Sequence, residues 1–185
     1  MTGRSQAINV AKMRGRLRES LTDRVAVEEP LEIHLGFESG GERQTRSVSI
    51  TMRTPGHDED LAAGFLFTEG IVNSRDEIAV VKPCQGDNTV RVELEDGVAV
   101  DLDRLTRHFY TTSSCGVCGK ASLDALRVHG IAPLRSEARF PATVLKSLPD
   151  RLREQQATFE ETGGLHAAAA FDSSGELIVV REDVG

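Results

Sequence analysis

The chain has 185 residues, a formal net charge of −7, three cysteines, 4% aromatic residues and no tryptophan. That length buries about 70% of the unfolded surface without disulfide staples, and three cysteines do not make a secreted disulfide framework. The negative charge argues against general nucleic-acid binding and the scarcity of aromatics against a base-stacking platform, while no apolar run approaches the roughly 20 residues of a membrane span.

Charge is uneven along the sequence. Residues 1–24 carry Arg4, Lys12, Arg14, Arg16, Arg18 and Arg24 against Glu19 and Asp23, a formal +4. With little core-forming pattern and no signal-peptide core, this stretch reads as a flexible basic leader. Residues 57–101 hold eleven acids against three bases, a formal −8, and read as wet strand faces and turns.

From Val25 the apolar period becomes two. Leu31, Ile33, Leu35 and Phe37 alternate with polar residues, as do Val48, Ile50 and Met52, with Gly40-Gly41 between the runs, the pattern of a β-hairpin. Thr54-Pro55-Gly56 ends the second strand. A helix follows, with Asp58 as N-cap, Leu61, Ala62, Phe65 and Leu66 as its apolar stripe, and Gly70 as its stop. Strands are expected over Ile78–Val81, Thr89–Leu94 and Val98–Leu102, with a turn at Asp96-Gly97 between the last two.

Next comes Thr111-Thr112-Ser113-Ser114-Cys115-Gly116-Val117-Cys118-Gly119-Lys120, followed by a helical pattern through Val128. Thiols at the mouth of a helix feel its positive end, which lowers their pKa and raises the thiolate fraction. Sulfur chemistry is therefore expected. Four readings compete: a dithiol redox site, a persulfide carrier, a zinc site needing two more ligands, for which Cys84 and His166 are the candidates, and a pair of inert buried cysteines. The small polar flanks argue against burial. A zinc deaminase is excluded, because Ser114 stands where the P-C-x-x-C motif has proline and no Glu lies two residues after His166. A thioredoxin-like site is disfavoured by the long antiparallel stretch before the pair. Cys84, after Pro83, reads as an ordinary loop cysteine.

Beyond the cysteines, a helix over Thr143–Phe159 perturbed at Pro149 is expected. A Gly163-Gly164 turn then feeds a buried strand carrying His166, and a returning strand spans Leu177–Val180. Arg181-Glu182-Asp183-Val184-Gly185 leaves that strand without a closing element, which reads as a truncated chain. The order of elements implies an α+β (mixed α/β) fold in three parts, 1–24, 25–110 and 111–185, with an antiparallel β region at the N-terminal side.

Four motifs in order give the sequence a likeness to a known family: Thr54-Pro55-Gly56-His57-Asp58-Glu59-Asp60-Leu61 through Gly70, Ser114–Gly119, Thr162-Gly163-Gly164-Leu165-His166-Ala167-Ala168, and Arg181–Gly185. Together they resemble the formate dehydrogenase accessory sulfurtransferase (FdhD) family. The resemblance implies a cytoplasmic, dimerising protein with a cytidine deaminase-like core, incomplete here at the C-terminus. It implies sulfur transfer from a cysteine desulfurase to the molybdenum or tungsten bis-guanine-dinucleotide pterin cofactor, in the service of formate dehydrogenase. From charge and composition no nucleic-acid or membrane partner is expected, and no resident metal is expected either. By the same resemblance Cys115 carries the persulfide and Cys118 supports transfer. Gly163, Gly164 and His166 are the expected residues of the cofactor pocket, and part of that pocket falls beyond Gly185. The rival readings are a zinc-stabilised binding module held by Cys115, Cys118 and His166, and a general dithiol oxidoreductase.

Overall fold

The computed structural model describes residues 3–84, 88–101 and 135–184. Cys115, Cys118 and the helix expected after them lie outside the described residues. The fold is α+β, as expected, and divides into two compact units. Among the described residues, one comprises 3–28, 53–56 and 135–184, and the other 29–52, 57–84 and 88–101.

The second unit is built on a four-stranded sheet. Strands β3 (Glu29–Ser39) and β4 (Glu42–Arg53) form the expected hairpin, and Gly40 and Gly41 take φ of 64° and 79°, which a two-residue turn of this kind requires. Helix α1 (Asp58–Thr68) follows, then β5 (Ile78–Pro83) and β6 (Thr89–Leu94). Strand order is β4-β3-β6-β5. β5 and β6 are antiparallel, but β3 and β6 are parallel, with Ile33 opposite Val90 and Leu35 opposite Val92. The sheet is therefore mixed rather than antiparallel throughout, because the chain crosses over through β4, α1 and β5 before β6 joins β3. Leu31, Ile33, Leu35, Phe37, Val90, Val92 and Leu94 are buried beside Ala62 and Leu66 of α1.

Three local expectations change. The backbone of His57 rather than Asp58 caps α1, with Leu61 N–H donating to His57 O at 3.0 Å. Asp58, Glu59 and Asp60 then occupy the first turn, where their charge suits the helix dipole. In β4, Val48 and Ser49 are both buried, which shifts the alternation and leaves Ile50 and Met52 45% and 47% exposed. The Asp96-Gly97 turn forms, but residues 98–101 are not a strand.

In the first unit the expected flexible leader is a hairpin of two ten-residue strands, β1 (Ser5–Arg14) and β2 (Leu17–Ala26), which pair only with each other. The rest is α2 (Ala142–Glu154), α3 (Ala157–Thr162) and an antiparallel pair, β7 (His166–Phe171) and β8 (Leu177–Asp183). The single helix expected over Thr143–Phe159 breaks at Gln155-Gln156, not at Pro149. Pro149 deprives only the carbonyl of Leu145 of a partner, and Leu145 is half-exposed, so water can replace the missing N–H. β7 is a strand, but none of its residues is buried.

Apart from Pro55, every buried aliphatic or aromatic side chain among the described residues belongs to the second unit. The described part of the first is held by polar contacts instead. No described helix is long and apolar enough to cross a membrane.

Candidate functional site

A six-residue helix does not persist alone in water, because nucleation costs more than two or three hydrogen bonds return. α3 has no side-chain cap from its own N-cap residue, Gln156. Its first amides are taken by a residue of β8: the Glu182 carboxylate accepts from Thr158 N–H at 3.0 Å and from Phe159 N–H at 2.8 Å. Arg4, from the foot of the β1–β2 hairpin, donates to Thr158 Oγ1 at 3.1 Å and to the carbonyl of Glu182 at 2.8 Å. On the other side, the Arg153 guanidinium lies 3.8 Å from the ring centre of Phe159.

The glycine-rich loop begins where α3 ends. Gly163 caps the helix in the left-handed conformation, φ 68°, its N–H donating to Phe159 O at 2.7 Å. The Thr162 hydroxyl sits 3.2 Å from Gly164 N and donates back to Thr158 O at 2.7 Å. Leu165 follows with φ 109°, a region that side chains with a Cβ rarely occupy and that costs on the order of 1–3 kcal/mol. His166 then opens β7, exposed, in register with Asp183.

Asp183, next to Glu182, reaches a third segment. Its Oδ1 accepts from Thr54 N–H at 2.6 Å and from Val184 N–H at 2.8 Å. Thr54 is 3% exposed, and its hydroxyl has no partner. Gly56 has φ 129°, and a Cβ there would stand 3.1 Å from an Arg4 nitrogen. Adjacent acids on one strand thus tie together segments 54–56, 158–166 and 182–184, with Arg4 as a fourth attachment.

The expected site residues stand as follows. Gly163 shapes the loop as a helix cap, Gly164 continues it, and His166 is its exposed side chain. Cys115 and Cys118 lie outside the described residues, so nothing places them beside this loop, and the same holds for zinc shared with His166. Among the described residues no three His, Cys, Asp or Glu side chains are arranged to hold a metal. Cys84 directly follows β5, forms no disulfide, and donates its backbone N–H to Thr89 O at 2.9 Å, as a loop cysteine would. Sequence reasoning assigned no role to Glu182, Asp183 or Arg4. Two adjacent acids at the end of an apolar strand are a readable signal for the first two; nothing in the sequence marks Arg4.

Comparison with known proteins agrees with this set of motifs. The family model described as FdhD/NarQ matches residues 26–185. The sulfur carrier protein FdhD of Mycolicibacterium paratuberculosis is 46% identical over 170 residues, covering 87% of this chain and 60% of that protein. The sulfur carrier protein FdhD of Sulfolobus acidocaldarius is 40% identical over 178 residues, covering 96% and 63%. A crystal structure described as a formate dehydrogenase accessory protein from Desulfotalea psychrophila shares the fold, with a TM-score of 0.71 at 21% identity over 98% of this chain and 64% of that one. This chain therefore spans about three fifths of the length of the curated relatives it matches. On the match over 26–185 and the identity to these relatives, the chain belongs to the FdhD/NarQ family.

Proposed function

We propose that the chain is a sulfur carrier of the formate dehydrogenase system. It takes sulfane sulfur from a cysteine desulfurase onto Cys115 and passes it to the molybdenum bis-guanine-dinucleotide pterin, which is substrate rather than resident cofactor. The observation that carries this reading is the family match over 26–185, and the name of the relatives, sulfur carrier protein, supports it. The setting is cytoplasmic and the working form a homodimer.

In the first step the Cys115 thiolate attacks the terminal sulfur of the donor persulfide. The donor S–S bond breaks, the donor thiolate leaves, and a Cys115 persulfide forms with no net change in oxidation level. In the second, Cys118 attacks the inner sulfur of that persulfide. A Cys115–Cys118 disulfide forms, hydrosulfide leaves toward the metal centre, and a cellular dithiol later resets the pair. His166 is the exposed side chain of its loop and contacts the acceptor. Gly163 and Gly164 contribute through the loop's backbone shape, at the end of the helix whose first amides Glu182 accepts.

The test is activation of a formate dehydrogenase in cells that lack their own carrier, with each change placed in the full-length protein. Cys115→Ala is expected to abolish activation and Cys118→Ala to reduce it. Activation surviving Cys115→Ala would overturn the assignment.

A further inference from the structure

Among the described residues, two that carry a Cβ sit at positive φ, Asn88 at 60° and Leu165 at 109°. Asparagine visits the left-handed region readily in turns. Leucine does not: its side chain makes no local hydrogen bond to offset the clash, and 109° lies well past the left-handed well. The two residues before it, Gly163 and Gly164, are of the type that takes such a φ freely, yet the outlier falls on the leucine. Ordinary packing does not account for this. Leu165 is only half-buried, and apart from Pro55 the described part of its unit has no buried aliphatic side chain for it to pack against.

The strain has a local cause. Two adjacent residues of β8 fix the ends of the segment 158–166. The Glu182 carboxylate accepts the first amides of α3, and β7 starts in register with the next residue, His166 opposite Asp183. Between those points Gly163 N–H is held by Phe159 O at 2.7 Å, and Gly164 N lies 3.2 Å from the Thr162 hydroxyl. With both ends and both glycines held, the turn into β7 is taken at Leu165. A glycine at 165 would relieve the strain but leave three consecutive glycines before His166, and the direction of that side chain would be spread over many backbone states. A residue with a Cβ at φ 109° has one narrow region to occupy. The exposed His166 is therefore held in one direction before any ligand arrives, which lowers the ordering cost of binding.

We propose that Leu165 is a positioning residue, whose strained backbone pre-sets His166 for the acceptor of sulfur. This rests on the reading that His166 contacts the molybdenum pterin. Leu165 acts through His166 and makes no contact of its own with the acceptor.

The test uses two changes in the full-length protein. Leu165→Gly removes the side chain and the strain, and Leu165→Ala removes the side chain alone. In urea the glycine variant should unfold at the higher midpoint of the two, even though glycine adds freedom to the unfolded chain. Activation of a formate dehydrogenase is then titrated against the amount of carrier added to an extract lacking its own. The glycine variant should need roughly tenfold more carrier than the alanine variant for half-maximal activation, because a smaller fraction holds His166 in the competent direction. Function would then fall where stability rises, the reverse of what a merely structural residue shows. The carbon-13 resonance of the His166 ring should coincide in the unchanged and alanine proteins and move toward the free-histidine value in the glycine variant. An alanine variant as stable as the glycine variant, or more stable, overturns the strain. Equal activation by the two variants, an unmoved His166 resonance, or slower loading of Cys115 by desulfurase in the glycine variant alone overturns the positioning role. If His166→Ala activates as well as the unchanged protein, the contact of His166 with the acceptor fails instead, and the order of the urea midpoints still judges the strain.

Discussion

Glu182→Ala is the change that most sharply separates the two kinds of cohesion in this molecule. The carboxylate accepts two backbone N–H groups at 3.0 and 2.8 Å, and one of them belongs to Thr158, which is only 6% exposed. A hydrogen bond to a charged acceptor contributes about 1.5–3 kcal/mol, and loss of a helix N-cap costs about 1–2 kcal/mol. Glu182 is itself half-buried, so solvent screening favours the lower end. A loss of about 3 kcal/mol for the first unit follows. Glu182→Gln should lose roughly half as much, since its amide keeps one acceptor oxygen. Hydrogen exchange is the suitable assay because it resolves the units separately. The amides of Phe159 and Gly163 should exchange about a hundredfold faster in the alanine variant, while those of Val90 and Val92 in β6 stay unchanged. Unchanged protection at Phe159, or equal acceleration in β6, would refute the idea that Glu182 holds α3 locally.

Further changes probe other parts of the structure. Gly163→Ala places a Cβ in open space at φ 68° and should cost about 1 kcal/mol in urea denaturation; Gly175→Ala should cost clearly more, because at φ 84° its Cβ also meets Val144 at 2.9 Å and Arg151 at 3.2 Å. Equal midpoints for the two would contradict that packing. Leu66→Ala removes a fully buried side chain of α1 and should lower stability by about 2–5 kcal/mol in the same assay, a loss below 1 kcal/mol counting against the packing of α1 on the sheet. The Asp172 carboxyl is held below its usual 3.8, first by the Ser174 hydroxyl and then by the Glu176 N–H. A lowered folded-state value contributes stability above pH 3.8 that is lost as pH falls through the folded value, so a carbon-13 titration should place its midpoint below 3.8 and a midpoint at or above 3.8 would reject the turn.

Periodicity was informative where one face is dry. Leu31, Ile33, Leu35 and Phe37 alternate in sequence and are all buried, and the stripe through Ala62 and Leu66 faces the same core. It was silent for β1 and β2, since a ribbon exposed from Ala11 to Val25 has no dry face to impose a pattern, and its cations resemble a tail's. It misled at Ile50 and Met52, because burial of both Val48 and Ser49 reverses the phase within one strand. The glycine-rich loop was legible as a turn, and Gly163 does take positive φ. The clamp around it was not, because Arg4, Thr54, Thr158 and Glu182 are brought together across up to 178 residues of chain by polar contacts that leave no periodic trace. The chemistry expected of Cys115 and Cys118 falls on residues outside those described.

The central claim is that Cys115 accepts sulfane sulfur, and intact-mass spectrometry after incubation with a cysteine desulfurase and cysteine tests it most directly. A gain of about 32 Da, removed by reductant and mapped by peptide analysis to Cys115, is the expected result. No gain, or a gain mapped to Cys84 with Cys115 unmodified, would contradict the claim.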